Sequence, residues 1–149
     1  MTVAQGGLAY GFQVELPVGY ERAVTLTREA LAERGFGVLT EVDVRATMKK
    51  KLDVDFRPYV ILGACNPPLA HRALTAETAI GLLLPCNTIV YAGDRPGTSV
   101  VAVVDPVTQL GKTGRPDLTP LAMEVRELLR QALERVRHAA VTTETPEEK

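Results

Sequence analysis

The sequence predicts an α+β domain of two layers, a largely antiparallel sheet with helices on one face. Three observations carry this. The elements read in the order βαβ-α-β-α-βββ-α. Strands crowd between residues 59 and 104, and GDRPG (93–97) is a turn signal that joins the last two as a hairpin. The chain has 149 residues, 46% of them hydrophobic, enough for one sizeable core. A single domain over 1–140 is expected, with a polar, disordered tail over 141–149.

The first strand spans 8–15, where Leu8, Tyr10, Phe12 and Val14 alternate with small or polar residues. Pro17 and Gly19 open a helix whose apolar positions are Tyr20, Val24, Thr27 and Leu31, and Gly35 ends it as a left-handed C′ residue. Residues 36–42 form the second strand. Asp43 suits the N-cap of a short helix with Val44, Met48 and Leu52 as its stripe. Lys49, Lys50 and Lys51 at its C-terminal end read as dipole-compensating cations.

Residues 58–65 (PYVILGAC) are apolar on both faces, which marks a central strand. Asn66 can cap the following helix, with Pro67 in its first turn. A fourth strand is expected over 81–84, interrupted by Pro85, and resumes over 87–93. Residues 98–104 return as the hairpin partner. Residues 105–117 read as a loop, being rich in Gly and Pro. The last helix runs over 118–139, with Leu121, Val125, Leu128, Ala132 and Val136 on one stripe and Leu129 and Leu133 beside it.

The last two strands are apolar on both faces (Ile89, Val90, Tyr91; Val100, Val101, Val103, Val104). Helices on one side leave the other to be covered. A second copy of the chain is the simplest cover, so a homodimer is expected, with an apolar ligand pocket as the rival explanation.

Charge and composition exclude several functions. A net charge of −1 argues against a dedicated nucleic-acid binder. No apolar run approaches the ~20 residues of a membrane helix. The opening MTVAQGGLAYGF has no basic segment followed by a long apolar one, so no secretory signal is read and a cytoplasmic location is expected. LGKTG (110–114) resembles the end of a phosphate-binding loop, but Pro106 stands where that motif needs glycine. Ser99, the one serine, has no nucleophile-elbow context. No cofactor or closed metal site is predicted.

Chemistry concentrates at two dipeptides. The chain has two cysteines and two asparagines, and they form Cys65-Asn66 and Cys86-Asn87. Cys65 ends a central strand just before a helix N-terminus, where the dipole favours a thiolate, and His71 lies six residues on. Three readings stay open. Both thiols and their asparagines are packing and capping residues of a structural or interaction domain. Alternatively, Cys65, Asn66, His71, Cys86 and Asn87 surround a cleft for a small molecule or soft metal, or Cys65 acts as a catalytic nucleophile with His71 as base. Or the two thiols form a reversible disulfide, closing a loop of about 20 residues and contributing about 3 kcal/mol in the chain-entropy model. Three soft ligands are too few for a closed zinc site within one chain.

The segments GACNPPLAHRAL (63–74) and LLPCN (83–87), within a similarity strongest over 35–105, resemble a bacterial and archaeal family, the domain of unknown function numbered 302. The resemblance implies a compact, dimeric α+β domain similar in fold class to one repeat of the TATA-binding protein. It implies no activity, and fold likeness carries no DNA binding.

Overall fold

The computed structural model describes residues 8–142. Five strands form one antiparallel sheet: β1 (Gly11–Leu16), β2 (Gly37–Asp43), β3 (Tyr59–Cys65), β4 (Cys86–Ala92) and β5 (Ser99–Val104), in the order β1-β5-β4-β3-β2. Five helices accompany them: α1 (Tyr20–Glu33), α2 (Val44–Leu52), α3 (Pro67–Ala76), α4 (Pro106–Gly111) and α5 (Thr119–Thr142). The α+β class and the antiparallel sheet are as the sequence predicts. The last helix includes Val141 and Thr142, and the rest of the expected tail, 143–149, lies outside the described residues.

α1 and α5 pack on each other and on one face of the sheet. That face presents Val14 and Leu16, Val60, Leu62 and Ala64, Val90, and Val101 and Val103, all buried. Against them lie Leu26, Ala30 and Leu31 of α1 and Leu121, Val125, Leu129, Leu133 and Val136 of α5. Leu128 is only partly buried, at the edge of the expected stripe. Strand alternation sends Gln13, Glu15, Tyr59, Ile61, Ile89, Tyr91 and Val100 to the other face, where none is fully buried.

The termini follow local chemistry. Gly35 takes φ +85° after α1. The Ala46 N–H donates to Asp43 Oδ1 at 2.9 Å at the start of α2. Ser99 is fully buried and its hydroxyl donates to the Val18 carbonyl at 2.8 Å, a structural role.

Two elements differ from the sequence reading. Residues 78–83 (Thr78–Leu83) form a 3₁₀ helix instead of a strand. Ile80 inserts into the core at 1% exposure while Leu82 is 89% exposed, and the Ile80 N–H donates back to the Glu77 carbonyl. A short apolar run does not carry its own period, so the strand reading had no support beyond composition. Within 105–117, the Asp105 carboxylate accepts from the Val107 N–H at 3.0 Å and Pro106 opens α4. The Asp-Pro pair is the same N-terminal signal as Asn66-Pro67, masked by the glycines that follow. LGKTG therefore lies at a helix C-terminus, where carbonyls point outward; the Thr113 hydroxyl donates to the Leu110 carbonyl at 2.7 Å. α2 forms where expected and packs at the β2–β3 edge without a fully buried residue: Val44 and Met48 are half-buried and Leu52 is exposed.

Candidate functional site: an apolar cleft at the β3–α3 junction

β3 and β4 are neighbours, with Ala64 opposite Cys86 and Gly63 opposite Asn87. The two cysteine-asparagine pairs, 21 positions apart in sequence, therefore meet at one end of the sheet. Here lies a cleft of about 300 Å³. Cys65, Ala64 and Cys86 line it from the sheet. Leu69, Ala70, Ala73 and Leu74 of α3 form one wall, and Phe36, Leu39 and Thr40 another. Leu84 and Pro85 close one end, and Leu110, Leu121 and Val125 reach it from α4 and α5.

The local sequence builds this opening. β2 and β3 shift register between Val38 and Thr40, an irregularity at Leu39, which is 66% exposed. Gly63 lies beneath the same crossing. A Cβ there would collide with Thr40 Oγ1 and lie 2.8 Å from Pro85 Cγ, so only glycine lets β2 and Pro85 close over β3.

Asn66 joins the two helices that flank the site. Its Oδ1 accepts from the Leu69 N–H and its Nδ2 donates to the Arg34 carbonyl, each at 3.4 Å. A Cβ at Gly35 would lie 3.0 Å from Nδ2, so the glycine serves both the left-handed turn and this approach. Asn66 is thus occupied as an N-cap and a tether. With Thr40, it is one of two uncharged polar side chains, apart from the thiols, lining the cleft.

Burial, followed by the nearby Cys65 thiol, pushes the Cys86 thiol up to about 11. Cys86 is therefore neutral at physiological pH and acts there as a small, polarizable apolar group. Both cysteines are free. The structure brings Cys65, Asn66 and Cys86 to the cleft but not His71 or Asn87. His71 is exposed on α3 and does not line it. Asn87 is exposed on the other face of the sheet, because strand alternation turns it away from Cys86. Among the described residues no group of three or more His, Cys, Asp or Glu side chains is placed to hold a metal.

Sequence reasoning missed Phe36, Thr40, Leu69, Ala73 and Leu110 as lining residues. They carry no chemical signature and become wall only through packing. Gly63 did carry a signal: a glycine inside a central strand marks a close approach.

No helix among the described residues is long and apolar enough to cross a membrane. The sequence profile of the family described as "Domain of unknown function DUF302" matches residues 12–136. The fold is similar to the crystal structure of an uncharacterized conserved DUF302 protein from Bacillus stearothermophilus. That similarity has a TM-score of 0.79 at 30% sequence identity and covers 87% of this chain and 100% of the other. No curated protein matches the sequence. A family profile spanning most of the chain and a shared fold agree: the chain belongs to the DUF302 family.

Proposed function

We propose that this domain is a ligand-binding or sensing module whose β3–α3 cleft takes a small, neutral, largely apolar molecule. One observation carries the reading: about 300 Å³ of space is lined almost entirely by carbon and sulfur, with its one amide already engaged. An engineered apolar cavity of about 150 Å³ accepts benzene, so this volume suits a bicyclic aromatic or a short branched aliphatic chain. Such a pocket stands at the lower end of the range for small-molecule sites. Cys65 and Cys86 contribute soft surface.

The neutral Cys86 thiol and, among the described residues, the lack of any group of three ligand side chains favour this over a soft-metal site within one chain. The nucleophile reading needs a base within hydrogen-bond reach of Cys65, and His71 does not line the cleft.

The test uses N-phenyl-1-naphthylamine, a neutral fluorophore that brightens in apolar surroundings. The full chain should bind it, and Ala70→Phe, which fills the cleft from the half-buried side of α3, should abolish binding while leaving the circular dichroism unchanged. Linear aliphatic alcohols should displace it. Each added methylene should strengthen competition about fourfold, from about 0.8 kcal/mol per buried CH₂, until the cleft is full. Equal fluorescence with wild type and with folded Ala70→Phe would overturn the proposal.

A further inference from the structure

α3 roofs the cleft beside Cys65, yet little packing holds it there. Of its ten residues only Leu69 and Ala73 are buried, against five in α1 and nine in α5. The cleft is the reason. Leu69, Ala70, Ala73 and Leu74 line it from one side, and Leu121 and Val125 of α5 from another. Side chains that face each other across a hollow of about 300 Å³ forgo the dispersion contacts that fix a helix in a filled core.

What holds α3 to the elements across the cleft is ionic. Arg72 Nη1 lies 3.1 Å from Glu124 Oε1 of α5. Arg115, in the loop between α4 and α5, grips the C-terminal end of α3. Its Nη1 donates to the carbonyl of Ala76, the last residue of the helix, at 2.7 Å, and to Glu77 Oε1 at 3.1 Å. Its Nε and Nη2 hold the two oxygens of Asp117 at 3.1 and 2.7 Å, which fixes the plane of the guanidinium.

The N-terminal end is held differently, by the Asn66 cap and its tether to the Arg34 carbonyl. α3 is thus hung at one end and clasped at the other. The chain that follows can yield to a swing. The 3₁₀ helix Thr78–Leu83 is pinned by one buried side chain, Ile80. Drawing the three steps from Glu77 to Ile80 out of a 3₁₀ rise of about 2.0 Å toward an extended rise of about 3.3 Å frees roughly 4 Å.

We infer that α3 is a gate over the cleft, swinging on Asn66, with the Arg72–Glu124 pair and the Arg115 clasp as its latch. The inference rests on the ligand reading for what passes through the gate, and the motion itself is testable without a ligand. Both parts of the latch are open to water. The side chains of Arg72 and Glu124 are 55% and 51% exposed, and those of Arg115 and Glu77 are 34% and 32% exposed. Dissolved salt therefore screens them, as it would not screen an apolar contact. Ligand exchange answers to ionic strength, although no charged side chain lines the cleft.

Two measurements on the full chain test this. The first is amide hydrogen exchange without ligand. A ten-residue helix released from its fold is marginal in water, so gate opening exposes the α3 amides. Arg115→Met should speed their exchange about tenfold, as for loss of a charge-assisted contact, and Arg72→Met about threefold, as for an exposed pair. Exchange in β3 and β4 should stay at the wild-type rate, which separates gating from general destabilisation.

The second is stopped-flow binding of neutral N-phenyl-1-naphthylamine. Either variant, or raising sodium chloride from about 0.05 M to about 0.5 M on wild type, should speed association and dissociation by the same factor. Kd should hold within about twofold, because the latch closes the free and the occupied cleft alike. Loss of a contact to the probe itself would speed dissociation alone. Arg95→Met removes the ion pair to Glu15 beside the aromatic hollow of Tyr59 and Tyr91 on the far sheet face, and should alter neither measurement. If Arg115→Met fails to fold, Arg72→Met and the salt series decide the matter.

Unchanged α3 exchange in the folded variants would overturn the gate, as would an equal acceleration in β3 and β4, or bound-probe kinetics indifferent to salt. Faster α3 exchange in a chain that binds no probe would uphold the gate and overturn the ligand reading instead.

Discussion

Cys65-Asn66 and Cys86-Asn87 are the same dipeptide in neighbouring strands, yet they have different fates. The first pair ends β3, and its asparagine leaves the sheet to cap α3 and hold the α1 turn. The second pair begins β4, so its asparagine stays in the ladder and alternates to the exposed face, while its cysteine turns inward. Position relative to the strand end decides the role, and residue type does not. The crossing of Thr40 and Pro85 over Gly63, which is directly opposite Asn87, separates the two environments.

The most severe way to break this arrangement is at that crossing. Gly63→Val places side-chain atoms where Thr40 and Pro85 already lie, and overpacking of this kind costs about 3 kcal/mol. Urea unfolding should show the midpoint falling at unchanged slope, and probe binding in the cleft should fall with it. A variant as stable as wild type would mean that β2 lifts off β3 freely.

Next in size is the contrast between buried and unfolded thiol. Cys86 holds its proton more tightly in the folded protein, where its value is about 11, than in the unfolded chain, where the ordinary value is 9.0. The folded state therefore binds more protons between these values, and stability falls as pH rises through that window. The contribution is fully present below pH 9 and is lost by about pH 11, an upper bound of about 2.7 kcal/mol. Tyr20 and Tyr59, also raised mainly by burial, add to the alkaline loss, so the measurement is the difference between wild type and Cys86→Ala. Parallel stability–pH curves for the two would refute burial as the cause.

The smallest effect separates the asparagines. Asn66→Ala should cost about 1 kcal/mol through the lost cap and tether. Asn87→Ala should change monomer stability by less than about 0.5 kcal/mol, because its side chain is exposed. Thermal unfolding of both variants compares them directly, and equal losses would remove the distinction between the pairs.

Much of the fold was legible wherever a signal is local. Asp43 and Asn66 declare helix starts because their side chains accept from amides three residues on. Gly35 declares a helix stop because it takes positive φ without a Cβ clash. A run apolar on both faces marked 58–65 as a central strand, and a similar run over 98–104 marked the hairpin partner. Legibility failed where the signal was composition alone: the apolar run around Ile80 turned out helical, and the glycines near Lys112 hid α4. At the site, sequence singled out the sulfurs and Asn66, since rare residue types stand out. It also grouped His71 and Asn87 with them, because proximity along the chain carries no information about which face a side chain takes.

By itself, then, the sequence determined the fold class, the antiparallel preference and the helix caps. Those depend on interactions within about four residues or on hydrophobic periodicity. Tertiary structure alone decided that β3 and β4 are partners in a register that places Ala64 against Cys86, that an apolar cleft opens between α3 and the β2 irregularity, and that an aromatic hollow remains on the far face. Register and cavities arise from contacts between residues distant in sequence, and a one-residue slip would have turned every strand side chain to the other face.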